Sequence, residues 1–332
     1  MQVPVNVSWL LEYVDAVNAE LQELYPHPGT TALEQAAADA LSVGGKRVRA
    51  TLALLWCEAY SGAYRPAVPL AVAYELAHAS ALVQDDIIDR SETRRGAKSI
   101  VAKYGLTTAI LASDLLLFNV PREVARYQSM DSRRLARIFD LVGEACRATT
   151  WGEFLDMEMA GGTEGTEKDY EDMIRLKTST LLSAPCVSGA LVGGASEEQA
   201  ALAGRFGEEL GMAYQIQDDA LDLVGDETSL GKPVLTDLRG GKKSVILLHC
   251  LSHCSGDDRK FIIGLLNRSG PYVADEITKL KGLIEENGSL EYAKGRVMTY
   301  TERARDILDS APDTAARRRL LELTGYLASR YY

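Results

Sequence analysis

The sequence predicts a single all-α domain over residues 1–332, built of roughly ten or more helices. Three observations support this. Apolar residues recur at i, i+3 and i+4 through most of the chain, among good helix formers. Period-2 alternation flanked by hairpin turns is absent. The Gly- and Pro-bearing stretches between periodic segments lack the length and low complexity of a domain linker.

In chain order, helices are expected at "LLEYVDAVNAELQEL" (10–24), "RVRATLALLWCEAY" (47–60), "VPLAVAYELAHASALVQDDIIDR" (68–90), "TAILASDLLLF" (108–118) and "RRLARIFDLVGEAC" (133–146). Others follow at 179–193, 197–225, 243–254, 276–288, 289–310 and 314–332. Pro121 predicts a kink or break near 119–121, because proline removes a helical N–H and clashes with the preceding turn. Loops are expected at "YPHPGT" (25–30), "GAYRPAVP" (62–69), "GDETSLGKP" (225–233), "LRGGKK" (238–243) and "NRSGP" (267–271).

Hydrophobic residues make up 46% and charged residues 25% of the 332, enough for a large core. A net charge of -11 argues against nucleic acid or an anionic membrane as partner, since both need a basic surface. Five cysteines (Cys57, Cys146, Cys186, Cys250, Cys254) are too few and scattered for a disulfide framework. The opening "MQVPVNVSWLLEYVD" has no basic n-region followed by an apolar run, so no signal peptide is expected. The apolar stretch 66–83 is broken by Glu75 and His78, so no transmembrane segment is expected. The expected location is the reducing cytoplasm.

Two acid clusters stand out on helical sequence: Asp85, Asp86, Asp89 and Asp218, Asp219, Asp222. Both read D-D-x-x-D. Residues four apart lie about 40° apart around a helix and about 6 Å along it, so their carboxylates share a face. One such cluster reads most simply as a solvated surface. Two, each inside an apolar helix, need a cation. Mg²⁺ suits them, because it takes oxygen ligands and is usually held by one or two carboxylates plus substrate phosphate. Basic residues complete the pattern: Lys46, Arg47 and Arg49 in "GGKRVR", Arg94 and Arg95 after the first cluster, Lys177 before Thr178, and Lys232 and Lys242 in glycine-bearing loops. Such cations bind phosphates. The set implies two polyanions, one held through metal and one held directly.

This ordered constellation resembles the trans-isoprenyl diphosphate synthases, of geranylgeranyl or longer-chain type. The likeness runs from "GGKRVR" through R-R-G at 94–96, K-T at 177–178, Q-x-x-D-D-x-x-D at 215–222, "GKP" and "GGKKS" to "LLELTGYLASR". It implies a helical bundle around a central active-site cavity. It also implies condensation of isopentenyl diphosphate with an allylic prenyl diphosphate, three Mg²⁺ with diphosphate bound, and a homodimer. By that resemblance Asp85, Asp89 and Asp218 are metal ligands, with Asp86, Asp219 and Asp222 in support. Arg94, Lys177, Lys232 and Lys242 neutralise the leaving diphosphate. Lys46, Arg49, His78 and Arg95 hold isopentenyl diphosphate, and Thr178 and Gln215 face the allylic cation. The chain departs from the family at Tyr214, usually Phe, and at Ser113-Asp114, where Gly-Asp is common.

In the resembling family the fifth and fourth positions before the first aspartate act as a floor. Here they are Ser80 and Ala81, both small, with Ala77 one turn below. Tyr74, about 16 Å below Asp85, and Phe118 on a neighbouring helix are candidates for a deeper floor. Products of C20 to C30 are expected. Farnesyl diphosphate synthase is the alternative. A terpene cyclase is disfavoured by the complete second D-D-x-x-D, and a subunit of a heteromeric synthase by the presence of all six aspartates. "HCLSHC" (249–254) is a poor zinc site, all four side chains falling on one helical segment. Glu75-x-x-His78 lacks the second copy that a di-iron bundle needs.

Overall fold

The computed structural model describes residues 7–26, 29–42, 45–160, 165–225, 235–268 and 271–328. The periodic segments fold as helices: α1 (Leu10–Leu24), α2 (Ala32–Ser42), α3 (Val48–Ser61), α4 (Val68–Ile88), α5 (Ile100–Tyr104), α6 (Leu106–Val124), α7 (Ser132–Met159) and α8 (Glu167–Ile174). A π-helical turn, Arg175–Ser179, leads into α9 (Thr180–Val192) and α10 (Glu197–Val224). Then come α11 (Thr236–Arg239), α12 (Val245–His253), α13 (Gly256–Leu266), α14 (Ala274–Glu286), α15 (Ser289–Leu308) and α16 (Ala315–Ala328). Helices α2, α5, α8, α11 and α13 escape the periodicity reading. They are short, and local signals start some of them: Ser99 caps α5, and a Thr166–Asp169 capping box opens α8.

Helix α4 is apolar nearly all round and sits at the centre, packed against α3, α6 and α9. The segment Arg65–Ile88 is long and apolar enough to cross a membrane, yet most of its apolar length is buried inside the bundle. Helix α10, opened by a Ser196–Gln199 capping box, joins two cores. Ala200, Ala203, Phe206 and Leu210 belong to the one that includes α3, α4, α6 and α9. Met212, Ala213, Ile216, Ala220 and Leu223 belong to the other, with α8 and α11–α15. The second aspartate motif therefore lies on the half of α10 embedded in the second core.

Two features go beyond the sequence expectations. Of the kink or break expected near 119–121, the break does not occur: helix α6 continues through Pro121, with Val120 and Val124 buried and the helix packed on α4. A hairpin absent from the sequence reading follows α4: β1 (Thr93–Arg94) pairs antiparallel with β2 (Ala97–Lys98). Its two-residue turn, Arg95–Gly96, has φ of 52° and 78°, the positive pair of a type I′ turn. Strands of two residues leave no alternation to detect.

Candidate active site

The first acid cluster ends α4, with Asp89 as its C-cap. Asp86 is buried, Asp85 half-buried and Asp89 exposed. From β1, Arg94 donates through Nε to Asp86 at 2.9 Å and through Nη2 to Asp86 at 2.7 Å, and pairs with Asp85 as well. Burial works against the Asp85 charge, but Lys177, Arg94 and Lys242 outweigh it and hold the carboxyl below its usual range. Asp86 goes the other way: burial and its neighbours Asp85 and Asp89 raise it despite Arg94.

Lys177 rides on the π turn, a wider helical turn often found at functional sites. Two glycines clasp that turn. A Cβ on Gly152 of α7 would meet the Lys177 backbone nitrogen at 2.2 Å, and one on Gly211 of α10 would meet the Ser179 Cα at 2.5 Å. Only glycine permits this approach. It seats the Lys177 ammonium 2.7 Å from both Glu153 and Asp156 and 3.7 Å from Asp85. Lys242 lies 3.1 Å from Asp89, 3.7 Å from Asp156 and 3.9 Å from Asp237. Burial opposes both lysine charges, yet Asp156 and the other carboxylates push both pKa values above the ordinary lysine range.

On α10, Gln215 accepts from the Thr178 hydroxyl at 2.7 Å and donates to Asp219 at 2.7 Å. Asp219 also accepts from the Tyr170 hydroxyl at 2.6 Å. Asp218 is half-buried. Asp222 accepts from Thr236 Oγ1 at 2.6 Å and from the Thr236 and Asp237 N–H groups at 3.2 and 3.0 Å. Its carboxylate thus secures the start of α11 and brings Asp237 beside the second motif. Lys242 then links that end to Asp89 of the first.

A group of arginines acts on His78, and it shares Arg94 with the first acid cluster. Burial, then the charges of Arg49, Arg95, Arg94 and Arg47, drive the His78 pKa well below normal, so the imidazole is neutral. Burial likewise lowers Arg49 and Arg95, with Tyr214 and Glu75 opposing. The Nε of Arg49 is buried without a hydrogen-bond partner, a donor left over for an anion. Lys46 reaches over the Tyr326 ring at 4.4 Å. Lys232 lies outside the described residues.

The sequence model of the family described as Polyprenyl synthetase matches residues 30–283. The chain belongs to that family. A geranylgeranyl diphosphate synthase of Methanosarcina mazei is 33% identical over 95% of this chain and 95% of its own. A geranylfarnesyl diphosphate synthase of Aeropyrum pernix is 35% identical over 87% of this chain and 92% of its own. The crystal structure of geranylgeranyl pyrophosphate synthetase from Pyrococcus horikoshii Ot3 superposes with a TM-score of 0.91 at 32% identity, over 97% of this chain and 98% of that one.

The donor chemistry of this polyprenyl synthetase fits Mg²⁺. The acid groups supply oxygen, with no sulfur or imidazole among them. Among the described residues, no three Asp, Glu, His or Cys side chains alone form a metal cage. A hard ion that completes its shell with water and phosphate oxygen does not need one. Burial, with the neighbouring Asp222, pushes Asp237 up to about 7, and burial with Asp237 raises Asp219 well above normal. Burial is the first cause at both, and a cation seated beside them would favour their charged forms.

Four residues of this synthetase site escape sequence reasoning: Glu153, Asp156, Tyr170 and Asp237. Tyr170 and Asp237 lie on short helices that periodicity does not reveal, and Glu153 and Asp156 lie beyond the predicted end of α7. Only the E-x-x-D spacing of Glu153 and Asp156, one helical face, hints at joint use. Below Asp85 on α4, Ala77 and Ser80 are buried and Ala81 half-buried. The Ser80 hydroxyl meets that of Ser113 on α6 at 2.8 Å. Tyr74 is fully buried and hydrogen-bonded to Ser188 of α9 at 2.8 Å. Phe118 is a correction: it is 70% exposed, on the outward face of α6, and forms no floor within this chain.

Proposed function

We propose that this chain condenses isopentenyl diphosphate head to tail with an allylic prenyl diphosphate, giving an all-trans polyprenyl diphosphate longer than C15. The names of its relatives support the C20 to C25 end of the range. One observation carries the reading: an acid field threaded by Lys177 and Lys242 stands beside a group of arginines around His78. Such a pair suits two diphosphates held by different means.

In this reading Asp85, Asp89 and Asp218 would be the principal ligands of three Mg²⁺, which would supply Lewis-acid charge to the leaving diphosphate. Lys177, Lys242, Arg94 and Lys232 add fixed positive charge where that anion develops. The Thr178–Gln215 pair presents oxygen dipoles towards the allylic cation. The double bond of isopentenyl diphosphate attacks C1, and a C2 proton leaves to the departing diphosphate. The apolar helices around α4 keep water from the cation. Incubating the protein with labelled isopentenyl diphosphate, each allylic primer and Mg²⁺, then sizing the products, tests the reading. No elongated product from any primer refutes it.

The two diphosphate pockets are separable by kinetics. Lys46→Ala or Arg95→Ala is expected to raise KM for isopentenyl diphosphate about 10-fold or more, with a smaller effect on the allylic KM. Lys177→Ala or Lys242→Ala is expected to lower kcat chiefly, since their charge matters most as the diphosphate departs. Identical kinetic patterns for the two pairs would mean that the pockets are wrongly assigned.

The reading includes a cytoplasmic homodimer. All five cysteines are free thiols, as a reducing compartment allows. Leu111 and Phe118 on α6, with Trp151, Phe154 and Met157 on neighbouring α7, expose large apolar side chains, which suits a subunit interface. Sedimentation is expected to give the mass of two chains, falling to one on Phe118→Glu. A monomer at micromolar concentration would overturn this part.

A further inference from the structure

Glu75, the acid of the Glu-x-x-His pair on α4, is 3% exposed. Its Oε2 accepts from Arg47 Nη1 at 3.0 Å, and its Oε1 accepts from the Ala50 backbone N–H at 3.3 Å. Ala50 lies in the first turn of α3, whose N-cap, Arg47, provides no side-chain cap. Glu75 supplies the missing cap from another helix. It satisfies a first-turn N–H and sets a negative charge at the positive end of the helix.

Arg47 is left-handed, with φ of 45°. A non-glycine residue keeps that conformation only where its surroundings over-determine it. Here the guanidinium is tied at all three nitrogens: Nε to Asn18 at 3.1 Å, Nη2 to the Leu41 carbonyl at 2.7 Å, and Nη1 to Glu75. Lys46 immediately precedes Arg47, and Arg49 follows two residues later. The chain path that delivers these two cations is therefore fixed through the Arg47–Glu75 pair. Glu75 is also a buried carboxylate whose charge acts on Arg49 and Arg95 against their mutual repulsion.

We propose that Glu75 is a positioning residue for the isopentenyl diphosphate pocket, acting through Arg47 and the first turn of α3 to hold Lys46 and Arg49 in place. This rests on the pocket reading above. The test varies isopentenyl diphosphate and the allylic primer separately for Glu75→Ala, Glu75→Gln, Arg47→Lys and Arg95→Ala. Glu75→Ala is expected to raise KM for isopentenyl diphosphate about 10-fold, with kcat and the allylic KM within about twofold. Glu75→Gln, which keeps one acceptor, is expected to raise it about threefold, and Arg47→Lys to move it in the same direction. Should Glu75→Ala fail to fold, Glu75→Gln and Arg47→Lys carry the test.

Three outcomes overturn the proposal. A fall in KM with Glu75→Gln would make Glu75 a mere counter-charge, because the pocket then gains net positive charge. Equal losses in kcat and both KM values, in step with a lower Tm, would make its role purely structural. A normal KM in the Glu75 variants beside a raised one in Arg95→Ala would remove the positioning role and leave the pocket standing. If Arg95→Ala also leaves that KM unchanged, the pocket reading itself has failed.

Discussion

Asp85→Ala and Asp218→Ala are each expected to lower turnover about 10³-fold or more, with helical content and unfolding cooperativity close to those of the parent. EDTA is expected to abolish activity, and Mg²⁺ to restore it. The variants should fold because neither carboxylate carries the architecture. Without Asp85, Arg94 keeps its contacts with Asp86, and Lys177 keeps Glu153 and Asp156. Asp218 is half-buried on a helix anchored by apolar residues of both cores. Asp222→Ala is expected to behave differently. Its carboxylate secures α11, so part of its effect should appear as lost stability, about 1 kcal/mol as for a lost cap. Steady-state rates, circular dichroism and urea unfolding separate these cases. Turnover persisting in EDTA would eliminate the metal mechanism.

Ala81→Phe is expected to shorten the product towards C15, and Tyr74→Ala to lengthen it beyond the wild-type limit. Ala81 lies one turn below Asp85 and is half-buried, with buried Ala77 a turn further down. Tyr74 lies about 16 Å below Asp85 along α4, its hydroxyl fixed by Ser188 of α9. A ring at 81 blocks the path near its entrance. Loss of the ring at 74 opens it near its end. Ser80→Phe should also shorten the product, but less cleanly. Ser80 contacts Ser113 across the α4–α6 seam, so a ring there overpacks two helices at about 1–3 kcal/mol. Product sizing with excess isopentenyl diphosphate checks all three variants. A parent enzyme that stops at C15, or an Ala81→Phe product of parental length, would refute this account of the floor.

The residues proposed for the chemistry and those proposed to set the product length differed in how far pattern alone reached them. The first D-D-x-x-D was legible because helical spacing puts Asp85 and Asp89 on one face whatever packs around them. The arginines after it were legible as cations, and the structure pairs Arg94 with the acids and gathers Arg95 with Arg49 around His78. Phe118 was misread because its spacing on α6 does not say which way that helix turns. Pro121 does not break α6, because packing that only the folded chain supplies outweighs the local penalty.

By itself, then, the sequence determined the helical class, the positions of the long helices, the two acid motifs and the cations available to them. These follow from backbone geometry and side-chain chemistry within a few residues. The tertiary structure alone decided that Glu153 and Asp156 flank Lys177, that Asp237 joins the second motif through Asp222, that Tyr170 holds Asp219, and that Glu75 caps a helix not its own. Periodicity orders residues around one helix axis. It carries no information about the rotation of one helix against another, and each of these contacts joins elements set by that rotation.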